Sequence, residues 1–160
     1  MDSGVSLCAH LAALEPGAAA LTLAPDEIVG WYDGPVEAIA RCAACGAPAW
    51  LELLDWSRDR AVRVFAMAGL RARDAAVYLA NVKKGSCDPK RERAEQEALA
   101  AAAGPFERLV AWHVREARLL AAAPLPPGLA VPAGAWGERL AAPDDSSWFA
   151  RLGLDKAERA

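Results

Sequence analysis

Threonine and asparagine occur once each in this 160-residue chain, as Thr22 and Asn81, and histidine only twice, as His10 and His113. No lysine or arginine precedes Arg41, so the first 40 residues hold six acids and no base. A secretory signal needs a positive start followed by an apolar run, and Pro16 and Pro25 interrupt this region instead. Nor does any apolar run approach the roughly 18–20 residues of a spanning helix. The expectation is a cytoplasmic protein with no membrane attachment. Eighteen bases against 21 acids leave a net charge of −3, which argues against a general binder of nucleic acid or anionic lipid. GxSxG, Walker, GxGxxG and HExxH patterns are all missing, so the corresponding hydrolase, nucleotide and metalloprotease chemistries have no sequence support.

What is abundant is alanine. Apolar residues make up 54% of the chain, but 39 residues are alanine. Alanine removes little surface from water, so the core must be built by Leu, Val, Trp and Phe. Charged residues at 24% fit a folded domain better than a disordered one. The length suits one domain. The excess of Arg over Lys, 14 to 4, together with the alanine content, resembles a bacterial-type, GC-rich composition and carries no functional reading.

Leu7, Leu11 and Leu14 are spaced for successive turns of a helix that Pro16-Gly17 ends. Residues 30–35 carry turn chemistry. Three stretches then alternate with period two: 36–41, 47–56 and 61–67. In the second, Trp50, Glu52, Leu54 and Trp56 share one side. The polar residues 57–60 are hairpin-sized, so the three read as an antiparallel meander. Helices are predicted from Asp74 to Lys84, and from an Asp88 cap with Pro89 in the first turn. Residues 108–114 and 117–123 read as a later hairpin. The predicted class is α+β: an antiparallel sheet, formed by the meander and the later hairpin, with a helix pair. Residues 1–123 form one domain in this reading, and 124–160 a Pro/Gly-rich tail packed on it.

The residues that carry chemistry are Cys8-Ala9-His10 and Cys42-Ala43-Ala44-Cys45-Gly46. Together they offer three thiolates and one imidazole, a closed tetrahedral set suited to zinc. The gap of roughly 32 residues between the pairs is tolerable, because loop-closure entropy grows only logarithmically. Metal at such sites contributes on the order of 10 kcal/mol to folding, which an alanine-rich core needs. This arrangement resembles a zinc ribbon or zinc knuckle, in which a CxxCG turn between two strands is completed by a second ligand pair; here CxH replaces the usual second CxxC. The resemblance implies a zinc-knuckle-like N-terminal region with Cys8, His10, Cys42 and Cys45 as ligands. Cys8-Ala9-His10-Leu11 is also similar to the start of the ubiquitin-specific-protease-type zinc finger, whose further ligands have no counterparts in this chain. No family is identified over the whole chain from these motifs.

Competing readings remain. Cys8 could be a buried thiol and His10 a surface residue, leaving Cys42 and Cys45 alone. A thioredoxin-like redox pair needs CxxC at a helix N-terminus, whereas strand follows Cys45 here. A zinc deaminase needs HxE and PCxxC, and Leu11-Ala12 and Arg41 stand where those would be. The corner 83–93 carries five bases and two acids and reads as a solvated corner between helices. Cys87 reads as a separate thiol and His113 as a strand residue. Six tryptophans read chiefly as core. Trp148, Phe149 and Leu152 follow a capping sequence and either wrap onto the sheet or meet a partner. The expectation for function is a small zinc-stabilised binding or accessory protein with a protein partner. An enzyme with a pocket between sheet and helices is the alternative, and a nucleic-acid-binding zinc ribbon comes third.

Overall fold

The computed structural model describes residues 5–15, 21–24, 28–31, 35–57, 59–83, 88–125 and 148–154. Residues 126–147, most of the tail, lie outside the described residues.

Seven antiparallel strands form one sheet: β1 (Leu21–Thr22), β2 (Ile28–Trp31), β3 (Pro35–Cys42), β4 (Pro48–Ser57), β5 (Val62–Gly69), β6 (Phe106–His113) and β7 (Arg118–Pro124). From β3 to β7 every strand pairs with its neighbours in chain order. The predicted meander and later hairpin therefore merge through β5–β6 pairing, with Val64 opposite Ala111. Between those strands the chain makes α2 (Ala72–Lys83) and α3 (Pro89–Ala102). Two short helices, α1 (Ala9–Ala12) and α4 (Trp148–Arg151), complete the described elements. The α+β class is thereby observed.

Alternation along the strands creates two apolar faces. Ala38, Ala40, Cys42, Leu51, Phe65, Met67, Val110, Trp112 and Leu119 form one, covered by Leu7, Leu11 and Leu14 of the N-terminal arm. The other carries Ile39, Trp50, Ala66 and Ala68 beneath α2 and α3. Farther along this face Val62, Val64, Leu109, Ala111 and Ala121 lie beneath Trp148 and Phe149. Because both faces are covered, all eight residues of β5 are buried.

Local chemistry explains the helices. The Asp88 carboxylate accepts from the Lys90 N–H at 3.1 Å, and Pro89 needs no partner at the first helical position. Arg91 and Arg93 meet Glu95 and Glu97 at 3.4 and 3.5 Å on successive turns, pairs worth only a few tenths of a kcal/mol each, about 0.2–0.5. Leu99 and Ala100 are the buried residues of α3. The helix layer rests on the sheet mainly through Ala75, Tyr78, Leu99, Ala100 and Ala103.

Three expectations need correction. The leucine spacing predicts a helix over residues 7–14, yet α1 has four residues. The leucines are buried as an arm crossing the sheet, and the Arg108 guanidinium, bonded to the Ala12 and Leu14 carbonyl oxygens, takes acceptors a longer helix would have used. Strands β1 and β2 went unforeseen. Both pair along the outer edge of β3, Leu21 opposite Cys42 and Ile28 opposite Ala38, and segments this short have too few residues to display a period. Finally, Trp56 does not share a side with Trp50 and Glu52. A bulge between Leu53 and Asp55 turns it to the opposite face, where the Arg63 guanidinium lies 4.8 Å from its ring centre.

Candidate metal centre

Two separate segments meet at one end of the arm-covered face. The first is held by groups that grip its backbone. The Leu7 N–H donates to Glu107 Oε2 at 2.8 Å, and Arg108 holds the carbonyls at the end of α1. The arm also passes so close to Gly69 and Gly104 that a Cβ on either would overlap backbone atoms of Ser6 or Val5. Cys8 then occupies the N-cap of α1, and its Sγ accepts from the Leu11 N–H at 3.5 Å. That N-cap position is usually filled by an oxygen side chain, and here it carries sulfur. Leu11 of the same turn is buried, while His10 is exposed.

The second segment is the β3–β4 turn. Cys42 is the last residue of β3, and its N–H and C=O bond Ala47 O and Gly46 N at 2.9 and 2.8 Å. Gly46 has φ +77°, a conformation glycine adopts without a Cβ penalty. The turn so formed aims backbone N–H groups of Ala44 and Cys45 at Cys42 Sγ.

One ligand atom from each of Cys8, His10, Cys42 and Cys45 lies within 4.8 Å of all the others. The four residues singled out from the sequence are therefore brought together, in an arrangement that could hold a metal ion. A tetrahedral Zn–S bond of about 2.3 Å implies donor–donor edges of about 3.8 Å, so a contraction of about 1 Å would close the cage. Cys42 is buried, Cys8 partly so, and Cys45 and His10 are exposed. All three of these cysteines are free thiols.

The electrostatics separate the thiols. Burial pushes the Cys8 thiol above its ordinary value; the Leu11 N–H opposes this, while the neighbouring Cys45 and Cys42 sulfurs reinforce it. Burial also pushes Cys42 up, but the N–H groups of Cys45 and Ala44 and the Cys45 and Cys8 thiols outweigh it, leaving Cys42 below its ordinary value. Hydrogen bonds to a thiolate favour it. Three sulfurs crowded together cannot all carry charge without a cation among them, so the donor set fits a metal of the thiolate-and-imidazole class.

The other sequence candidates fall elsewhere. His113 ends β6 and accepts the Glu116 N–H on Nδ1 at 3.0 Å, which shapes the β6–β7 turn. Trp148 and Phe149 are 4% and 6% exposed and pack, with Leu152 beside them, against this chain's own sheet; the Arg60 guanidinium lies over the Phe149 ring. Cys87 and the neighbouring residues 84–86 lie outside the described residues. A cavity of about 170 Å³ opens between α2 and α3, lined by Asp74, Val77, Tyr78, Asn81, Glu95 and Leu99 among others.

Sequence reasoning passed over Glu52. It is 1% exposed, its Oε1 accepts from Trp50 Nε1 at 2.6 Å, and its Oε2 is buried without a partner. Glu37 lies directly opposite on β3. The clue was available, because period two places Glu52 on the same side as Trp50 and Leu54, an apolar side. Compared with protein-family models, with curated proteins and with solved structures, this chain has no match in any of the three.

Proposed function

We propose that this chain is a small zinc-stabilised accessory protein that acts by binding a protein partner, with its metal serving structure rather than catalysis. The convergence of Cys8, His10, Cys42 and Cys45 within 4.8 Å carries this reading. Three sulfurs and one imidazole would fill a tetrahedral zinc shell and leave no position for a reacting water. The CxxCG turn between β3 and β4, with N–H groups directed at Cys42, supports the zinc-knuckle likeness. The metal would fasten the N-terminal arm to the end of β3, joining segments that only tertiary folding brings together. Zinc is favoured over harder cations because the donors are thiolates and imidazole.

A catalytic role has one observation in its favour: the buried Glu52 facing Glu37 across two strands, close to helices that enclose a cavity. A nucleic-acid role has less support, since Arg91 and Arg93 of the basic corner already face Glu95 and Glu97. Native mass spectrometry of the purified full chain tests the proposal. One zinc per chain and a partner bound at fixed stoichiometry are expected. A metal-free chain with reactive thiols would overturn the zinc assignment. Turnover in a small-molecule panel, retained after partner removal, would overturn the accessory role.

A further inference from the structure

Glu52 sits where a charge is hardest to keep. Its carboxyl lies on the helix-facing side of β4, 1% exposed, with Ala66 opposite on β5 and Glu37 opposite on β3. One oxygen has the Trp50 indole N–H; the other has no partner. Among the described side chains, the titratable groups around this interface include Glu37 from β3, Asp74 and Tyr78 from α2, and Glu92, Arg93 and Glu95 from α3. Arg93 acts on Glu37, and the two helix carboxylates act on Tyr78. From the other direction α4 brings Trp148 and Phe149, with Arg60 over the latter ring. Among the described residues, no cation is seen to act on Glu52 itself. An ionised Glu52 would keep a single hydrogen bond and face a second carboxylate across the strand pair, an arrangement that burial makes expensive.

Relief requires water at Oε2, and something must move to admit it. The sheet is a poor candidate, because β4 is laddered to β5 from Ala49 to Ser57 and to β3 from Pro48 to Glu52. The helix pair is a better one. It is a single excursion between β5 and β6, seated through Tyr78 and Leu99 and otherwise through the small side chains of Ala75, Ala100 and Ala103. Such a layer has the smaller apolar area to lose.

We propose that Glu52 is a pH-operated latch, which as a neutral acid lets α2 and α3 stay docked on the sheet and, on losing its proton to solvent, drives them off it. Proton release is the only chemical step: the carboxyl O–H breaks, water takes the proton, and the carboxylate is hydrated once the helices lift. The sign follows from linkage. Burial, only partly offset by the Trp50 hydrogen bond and reinforced by Glu37, raises the docked carboxyl from an ordinary value of 4.5 to about 8. The docked state therefore holds the proton more tightly than the lifted state. Docking is fully favoured below pH 4.5 and is weakened as pH rises towards 8, by up to about tenfold in population per unit. Above that range the effect levels off.

Amide hydrogen exchange on the full chain between pH 5 and 9, corrected for intrinsic base catalysis, tests the latch. Opening of α2 and α3 should increase across this range while amides of β5 and β6 keep their protection. Glu52→Gln retains an acceptor for the Trp50 N–H and cannot ionise, so its helix protection should be independent of pH. A flat wild-type profile, a Glu52→Gln profile as steep as wild type, or simultaneous loss of β5 and β6 protection would each overturn the proposal. If Glu52→Gln does not fold, carbon-13 titration of the wild-type carboxyl is set beside the wild-type exchange profile. A midpoint raised above the ordinary carboxylate range that coincides with the rise in helix opening supports the latch; one in the ordinary range, or one through which the helices stay closed, refutes it.

Discussion

Replacing Cys45 by serine isolates the metal's contribution to stability. Cys45 is exposed, so the exchange opens no cavity, whereas Cys42 is 1% exposed and its truncation would mix packing with metal loss. The fastening runs from Cys8 to Cys42, closing a loop of about 34 residues, and the chain-entropy relation for a covalent cross-link of that length gives about 4 kcal/mol. For a chain of this size that corresponds to a melting shift of roughly 8–16 °C. Thermal unfolding followed by circular dichroism, with zinc supplied and again after chelation, reads the effect. With zinc, the wild type should melt higher than Cys45→Ser by an amount in that range. After chelation the two should melt together, because the difference resides in the metal and not in the side chain. Cys87→Ala should behave as wild type in both conditions and keep one zinc, since the four-donor set is complete without it. A wild type that melts identically with and without chelator, or a Cys45→Ser protein that retains full zinc and stability, would refute the reasoning.

Other substitutions probe the parts that position the centre. Gly104→Ala places a Cβ against the Val5 carbonyl and should cost about 1–3 kcal/mol in urea unfolding; because the displaced arm carries Cys8, zinc affinity measured by chelator competition should fall as well. Trp148→Ala empties a site only 4% exposed and should cost about 3–5 kcal/mol. Deleting residues 144–160 should likewise lower the melting temperature and expose surface that binds an apolar dye. Ala117 holds φ at 52° in the β6–β7 turn, so Ala117→Gly should raise stability by about 0.5–1 kcal/mol in the same unfolding assay, relieving a left-handed Cβ contact.

Much of this architecture was legible residue by residue. Alternation of Val62, Val64 and Ala66 against Arg63, Phe65 and Met67 marks β5, and Asp88-Pro89 marks the start of α3. These are local signals, because backbone geometry alone decides which side of a strand a residue takes and which residue can cap a helix. The donor types and spacing of Cys8-x-His10 and Cys42-x-x-Cys45-Gly46 likewise depend only on chain chemistry. Tertiary structure decided the rest. Whether the two donor pairs meet depends on Arg108, Glu107, Gly69 and Gly104, which lie far along the chain and grip the arm through contacts with no sequence period. Strands β1 and β2 exist where they do because β3 offers an edge to pair with; Ile28, Val29 and Trp31 favour extension, but runs of two and four residues show no period by themselves. The bulge that turns Trp56 away from Trp50 answers to the pairing of β4 with β5. The sequence by itself determined which side chain could become a buried acid, since Glu52 alternates with apolar neighbours. Only tertiary structure, which covers both faces of the sheet around β4, leaves that carboxyl 1% exposed, because the covering layers come from segments far from it in the chain.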